Sequence, residues 1–570
     1  FFCILAHCTI LFQVRELPQS GIIVKKLYME LIVEKDEVNT PLIEPREIKQ
    51  INERFEIWYY DDQDIPPLSV GVYSYSAIPK CLAPCATEAL EASGILAMQR
   101  QENLKLTGKG TYIAIIDSGI NIFDDAFRNF DGSTRIAVLW DQENDKVYNE
   151  MNINTLIMNK NEDNDVISKD KEIPQDQDGH GTFLASVAAG SIDLQNDFVG
   201  AAPEAKLIVV KLKPASKVLK DFFFIPENAT VYSEADVMLA VAFAENWMKE
   251  NQALAPLVIF LGLACNNGSH CGTSPLAQYL DSVALQINHA VVTPTGNEGI
   301  RQHHYRGNIS NQKEQIVEIN IERDIAGFYL ECWSLAPERV LIQVRSPNGE
   351  TRPTSANMDN LSQSYRFPLE GTKMTIDYRD VGKRRRDQLV FVRFENVPKG
   401  VWSIIISPMY SINGEFNIWL PMEGLLPSPV YFLQPDPDIT ITSPGDAVLP
   451  MTIGGYSLQT RGVYLESGRG FLPDKTIKPD FIAPCDQVSG KGLRNNYVTY
   501  SGTSVAAAIT AGACAQILQW AVVEKNALGI NSIDIKNFFI RGSVRLPGYE
   551  YPSTQTGYGR LEIYESFRQI

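Results

Sequence analysis

Four residues stand out by type and setting in this chain of 570 residues. Ser504 follows the polar turn 500–503 and opens the apolar, Ala-rich run Val505-Ala506-Ala507-Ala508-Ile509-Thr510-Ala511. A helix starting there points unpaired N–H groups and a partial positive charge at whatever meets its first turn. Alone, Ser504 reads as a helix cap. His180 sits between two glycines in Asp178-Gly179-His180-Gly181-Thr182, at the head of another small-residue helix, and only six histidines exist. Asp117 ends a largely apolar run, 110–116, in Asp117-Ser118-Gly119, where an open α/β sheet gathers its ligands. A turn-forming Asp beside Gly is the plain alternative. Asn297 lies in Thr295-Gly296-Asn297-Glu298-Gly299 after an apolar strand, where its amide can donate to an oxyanion. Together these types make a nucleophile's machinery. A serine hydroxyl needs an imidazole to take its proton, a carboxylate to orient that imidazole, and donors for the tetrahedral oxyanion.

The elements that must carry these residues alternate as in an α/β domain. Strands are expected over 110–116, 207–212 and 257–263, and a long amphipathic helix over 235–251, with apolar runs suited to strands buried on both faces. A small α+β unit is expected before them. Its strands are 9–14, 27–33, 55–60 and 68–75, with a helix over 44–55, a linker at 80–84 and a short helix over 87–98. Seven short segments, 316–321, 328–333, 340–345, 374–378, 389–394, 402–406 and 415–419, separated by turn signals, read as a β-sandwich. The basic cluster 383–386 reads as a solvated loop first and as a docking patch second. The net charge of −17 argues against nucleic acid and acidic membrane surfaces as partners. Nine scattered cysteines make no disulfide framework, and Cys81 and Cys85 read as free thiols. No signal-peptide pattern is complete at the start, and no segment reads as a bilayer span.

In these blocks the chain resembles the subtilisin-like serine proteases. The order Asp…His…Asn…Ser is theirs, and Lys478-Pro479-Asp480-Phe481-Ile482-Ala483-Pro484 and Gly557-Tyr558-Gly559-Arg560-Leu561 match as well. Within that family it looks closest to the Csp-type clostridial germination proteases. That likeness rests on Val138-Leu139-Trp140-Asp141-Gln142, the insertion 211–232 with Ile225-Pro226-Glu227-Asn228-Ala229, Gly268-Ser269-His270 and His303-His304-Tyr305. The resemblance implies an α/β, three-layer fold with a parallel sheet, an α+β N-terminal propeptide and an inserted jelly-roll β-sandwich. The implied limits are a propeptide at 1–84, a catalytic domain at 85–309 and 433–570, and an insert at 310–432.

The resemblance further implies a triad of Asp117, His180 and Ser504, with an oxyanion hole from Asn297 and Ser504. It puts Gly262, Leu263 and Ala264 on one cleft edge and Ala229 and Thr230 on the other, pairing a peptide strand. It implies self-cleavage near 82–86, retention of the released propeptide, and a protein substrate, with a germination-related zymogen as the Csp-type candidate. The alternative is a non-cleaving binding protein on the same fold. No cofactor or metal is expected, and a spore-associated or cytoplasmic location is expected over secretion. Three departures bear on the cleft and core: Gly262-Leu263-Ala264 replaces the usual Ser-Leu-Gly, Ala508 replaces a Pro, and Cys485 replaces a Gly.

Overall fold

A computed structural model describes residues 28–35, 43–61, 65–84, 91–101, 104–162, 174–310, 313–352, 362–382 and 386–568. The expected strand at 9–14 and most of the basic cluster 383–386 lie outside them.

The N-terminal unit is a three-stranded antiparallel sheet of β1 (Tyr28–Glu34), β2 (Glu47–Gln50) and β3 (Phe55–Asp61), in the order β1-β3-β2. The helix expected over 44–55 is not formed. Residues 47–50 pair with β3 instead, and the Asn52 side chain accepts from the N–H groups of Arg54 and Phe55, both at 2.8 Å, to close the turn. Local hydrogen bonding by Asn outcompetes helix continuation there. The expected strand at 68–75 is a series of turns ending in the 3-10 segment Tyr75–Ala77. The expected linker is a strand, β4 (Cys81–Pro84). Of the helix expected over 87–98, the described part is a 3-10 turn, Glu91–Ser93, and a short helix, Ile95–Arg100.

The main domain is built on an eight-stranded sheet. Its strands are β5 (Tyr112–Asp117), β6 (Ile136–Asp141), β7 (Lys146–Asn149), β8 (Lys206–Lys211), β10 (Leu257–Leu261), β12 (His289–Pro294), β13 (Met451–Tyr456) and β14 (Phe481–Pro484). Two short strands, β9 (Tyr232–Ser233) and β11 (Leu263–Ala264), lie outside it. The order is β14-β13-β12-β10-β5-β8-β6-β7, parallel except for β7. Alternate residues of the central strands enter opposite cores. Ile113, Ile115, Val258, Phe260 and Val292 meet α1 (His180–Ala189), α4 (Thr503–Leu518) and α5 (Ser532–Gly542) on one face. Ala114, Ile116, Ile259, Leu261 and Val291 meet α2 (Glu234–Asn251) and α3 (Pro275–Ala284) on the other. The N-terminal sheet adds Ile32, Phe55, Ile57 and Tyr59 to this second core and so packs against α2.

Residues 503–523 are long and apolar enough to cross a bilayer, contrary to the expectation that no segment would be. Here they are nearly all buried in protein, and Ala506, Ala507 and Ala508 are fully covered.

Between β12 and β13, neighbours in the sheet, the chain makes two antiparallel sheets. One has six strands, in the spatial order His304–Asn308, Glu415–Trp419, Ile325–Ser334, Asp387–Val397, Thr372–Val381, Ser362–Phe367. The other has five, Thr351–Arg352, Arg339–Arg345, Gly400–Tyr410, Gln315–Ile321, Val430–Phe432. Their inner faces share one core that includes Phe328, Ile342, Phe394, Trp402 and Ile404. The first strand, His304–Asn308, lies ahead of the expected start at 310. Its burial alternates from Tyr305 to Asn308, but Arg306, Gly307 and Asn308 carry no strand signal in their residue types.

Candidate active site

Asp117 is the last residue of β5 and is 1% exposed. Its Oδ1 accepts the N–H of Ser118 at 2.7 Å and lies 2.8 Å from Nδ1 of His180. That contact fixes the imidazole and leaves Nε2 on the opposite side of the ring. His180 is the first residue of α1, and Gly179 before it has φ +88°, a conformation glycine supplies without strain. Gly181 lets the helix close on the strand end, since a Cβ there would lie 2.1 Å from the Gly119 carbonyl oxygen.

Asp176, which sequence reasoning did not single out, ties this corner together. Its Oδ1 accepts from the Ser118 hydroxyl at 2.9 Å and from Gly179 N–H at 3.0 Å. Its Oδ2 accepts from Thr182 N–H at 2.9 Å and from the Thr182 hydroxyl at 2.6 Å. A carboxylate at the start of α1 complements the helix N-terminus. Burial raises its pKa above the ordinary value, against the opposing pull of the Thr182 and Gly179 bonds. Its signal was Asp176-Gln177-Asp178, an acidic pair just before a helix-opening Gly-His-Gly.

Ser504 is the second residue of α4 and is fully buried. Its hydroxyl has no hydrogen-bond partner among the described residues. A buried hydroxyl left so costs about 1–3 kcal/mol, which a packing role alone does not require. Asn297, beyond the end of β12, accepts from both the N–H and the hydroxyl of Thr503, each at 3.1 Å, through Oδ1. With Oδ1 so held, Nδ2 and its two hydrogens face away from Thr503. Beside it Glu298 contacts His303 Nδ1 at 2.6 Å and accepts Glu423 N–H at 3.1 Å, which anchors the Asn297 loop to both ends of the insert. Burial works against a charged His303, but Glu298 outweighs it and raises the pKa.

Gly262 lies against the Asp117–His180 pair. A Cβ there would sit 3.4 Å from Asp117 Oδ2 and 3.5 Å from His180 Cε1. Leu263 and Ala264 form β11, and β4 pairs with it antiparallel, Pro84 opposite Leu263 and Ala83 opposite Ala264. On its other side β4 pairs with β9, Leu82 opposite Tyr232 and Cys81 opposite Ser233. The chain's own residues 81–84 therefore fill the groove between the two edges. The strand on that second side is Tyr232–Ser233, and Ala229 and Thr230, expected there, lie outside it. The Lys220 ammonium donates to the carbonyls of Glu227 and Ala229, at 3.0 and 2.8 Å, and residues 227–229 form a turn. Cys485 is a free, buried thiol that burial holds well above its ordinary pKa, and its sulfur fills the space over Gly455. No disulfide and no cluster of metal-ligating side chains occurs among the described residues.

This arrangement stands beside three similarities to known proteins. The model of the subtilase family matches residues 108–225 and 435–559, the stretches that carry Asp117, His180 and Ser504. The membrane-bound transcription factor site-1 proteases of Mus musculus and Homo sapiens are each 28% identical over 135 residues, 23% of this chain. The chain spans 12% of the length of those curated relatives. The solved structure of the Clostridium perfringens CspB protease superposes with a TM-score of 0.75 at 26% identity. It covers 84% of this chain and 96% of its own.

Proposed function

We propose that this chain, which belongs to the subtilase family and stands close to its Csp-type members, is a serine endopeptidase that first cleaves itself near residues 82–86. In this reading Ser504 Oγ attacks the scissile carbonyl carbon and His180 Nε2 takes the hydroxyl proton. Asp117 holds the imidazole and stabilises its charged form, and the Asn297 amide and the Ser504 N–H meet the oxyanion. Collapse breaks the C–N bond as His180 returns the proton to the leaving amine. Water then enters by the same route and releases the acyl group from Ser504.

The observation that carries the reading is β4, held antiparallel between β9 and β11 one residue from Gly262, which abuts the Asp117–His180 pair. A protease binds a peptide by such edge pairing, with main-chain hydrogen bonds supplying affinity at any sequence. The released N-terminal part then acts as a propeptide, and the Csp-type likeness makes a protein zymogen the candidate substrate.

The test is a denaturing gel of the expressed protein. Wild type releases a fragment of about 9 kDa, 84 residues at the chain mean of 63.6 kDa over 570 residues. Ser504→Ala and His180→Ala both stay full length, because members of such a unit fail together. A wild-type chain that never cleaves would overturn the enzyme in favour of a binding protein on this fold. N-terminal sequencing of the large fragment fixes the bond cut.

A further inference from the structure

Glu331, on the sandwich strand Ile325–Ser334, is 1% exposed and is the meeting point of all three parts of the molecule. The main domain gives it the Asn267 amide at 2.7 Å and the Gly268 N–H at 2.9 Å. The sandwich gives it the Trp333 indole N–H at 2.9 Å. The N-terminal part gives it the Tyr75 hydroxyl, 2.6 Å from each carboxylate oxygen. The Tyr75 ring meets Trp333 edge-on, with centroids 5.4 Å apart.

Three of these four donors belong to parts that remain once the N-terminal part is gone. Asn267, Gly268 and Trp333 hold Glu331 without Tyr75, and without it the carboxylate is one donor short, at the place where Tyr75 packs in one apolar cluster with Tyr329, Trp333 and Leu389. A phenol is the side chain that fills such a place and donates at its far end. The peptide supplies its own brace. The Lys80 ammonium donates to the carbonyls of Tyr75 and Ile78, at 2.7 and 2.6 Å, and lies 4.2 Å from the centre of the Tyr75 ring. Burial lowers its pKa, opposed by the nearby Glu234 and Glu331.

We propose that Glu331, Trp333 and Asn267 form an upstream substrate subsite that takes a tyrosine side chain nine positions before the residue in Pro84's place. Preferred protein substrates carry that tyrosine with a lysine five positions after it, the spacing of Tyr75 and Lys80. The inserted sandwich is then a specificity element, reading substrate far from the bond that is cut. The inference rests on the protease reading above and adds a selectivity to it.

Two arms test it. In the first, the processed protein is given internally quenched peptides spanning residues 70–90, one with the native sequence and one carrying Tyr75→Phe, and a short peptide that begins at Lys80. The tyrosine peptide is expected to show kcat/KM about tenfold or more above the phenylalanine peptide, carried by KM, because loss of one donor leaves a buried carboxylate under-satisfied. Glu331→Gln brings that ratio to within about twofold. Equal rates for the two long peptides, with the short peptide cleaved, overturn the subsite and leave the protease reading intact.

If no peptide is cleaved by wild type, whether because the chain is inactive or because its released N-terminal part stays in the groove, the second arm decides the subsite. The full chain carrying Tyr75→Ala and Ser504→Ala is titrated with p-cresol and with toluene, and its melting temperature followed. A rise with p-cresol that toluene does not match, and that Glu331→Gln removes, supports a pocket that reads a phenol. Equal effects of the two probes overturn it. If Tyr75→Ala does not fold, the peptide ratio stands as the deciding result.

Discussion

Asp176 shows how Asp117 and His180 depend on a neighbour outside the proposed triad. Its carboxylate satisfies the Ser118 hydroxyl, Gly179 N–H and both donors of Thr182, and these flank Asp117 and His180. Asp176→Ala strands those donors in a buried corner and should cost about 2–4 kcal/mol, read as a lower denaturation midpoint of the Ser504→Ala chain. Asn297 carries a different expectation. Asn297→Ala should lower kcat about 10²–10³-fold with little change in KM, measured on any peptide the protein cleaves, since in the proposed mechanism the amide acts on charge that appears only in the transition state. Asp117, His180 and Ser504 stand out in the sequence because each sits in a local setting that is odd for its type, an acid ending an apolar strand, a histidine between glycines, a serine heading an alanine helix, and the structure puts the first two in contact. Asp176 was obscured by Asp178 two residues on, whose carboxylate accepts the His180 N–H. Glu331 had little local signal, because all its partners but Trp333 come from far along the chain, residues 75, 267 and 268.

Among the elements, those with long apolar runs were readable and those shaped by distant partners were not. Burial on both faces makes β5, β8 and β10 near-continuous apolar runs, and they form close to where composition put them. β4 has no such pattern. Cys81-Leu82-Ala83-Pro84 reads as a linker, and it is a strand only because β9 and β11 supply both edges. The same dependence on context turned residues 47–50 from helix to strand. α4 sets the opposite limit, a helix so enclosed that its sequence admits almost no growth. Gly512 in its middle would place a Cβ 2.2 Å from the Ala201 Cβ and 2.7 Å from the Ala188 carbonyl oxygen. Gly512→Ala should therefore destabilise the domain by about 1–3 kcal/mol despite its better helix propensity, and lower its thermal midpoint.

At the scale of the whole molecule, the N-terminal sheet meets the main domain across a buried acidic pair. Glu30 on β1 is 1% exposed and neither of its carboxylate oxygens has a hydrogen-bond partner among the described residues. Burial, then the neighbouring Asp236 of α2, raise its pKa from 4.5 to about 7, against the weaker pull of Lys213, Ser233 and Lys49. Asp236, paired with Lys213 at 3.0 Å, is raised in the same direction by burial. An acid that holds its proton more tightly when folded loses stability as pH rises from its unfolded pKa to its folded one. The docked state should weaken between about pH 4.5 and 7, by on the order of 3 kcal/mol, and change little above. Urea melts of the uncleaved Ser504→Ala chain at pH 5 and pH 8 should show this, and Glu30→Gln should flatten the difference and stabilise the protein at pH 8.

The enclosure of α4 also has a meaning in time. A ribosome emits Asp117 387 residues before Ser504, roughly 20–80 s earlier at 5–20 residues per second. By the end of that interval the N-terminal sheet, the strands of the main sheet and the entire sandwich have been made, while the helix that plugs the core is only beginning. Ser504 is thus made only after the N-terminal sheet already has a surface to dock on. In the proposed reading, birth order alone spares the cell a protease that is armed before it is sheathed.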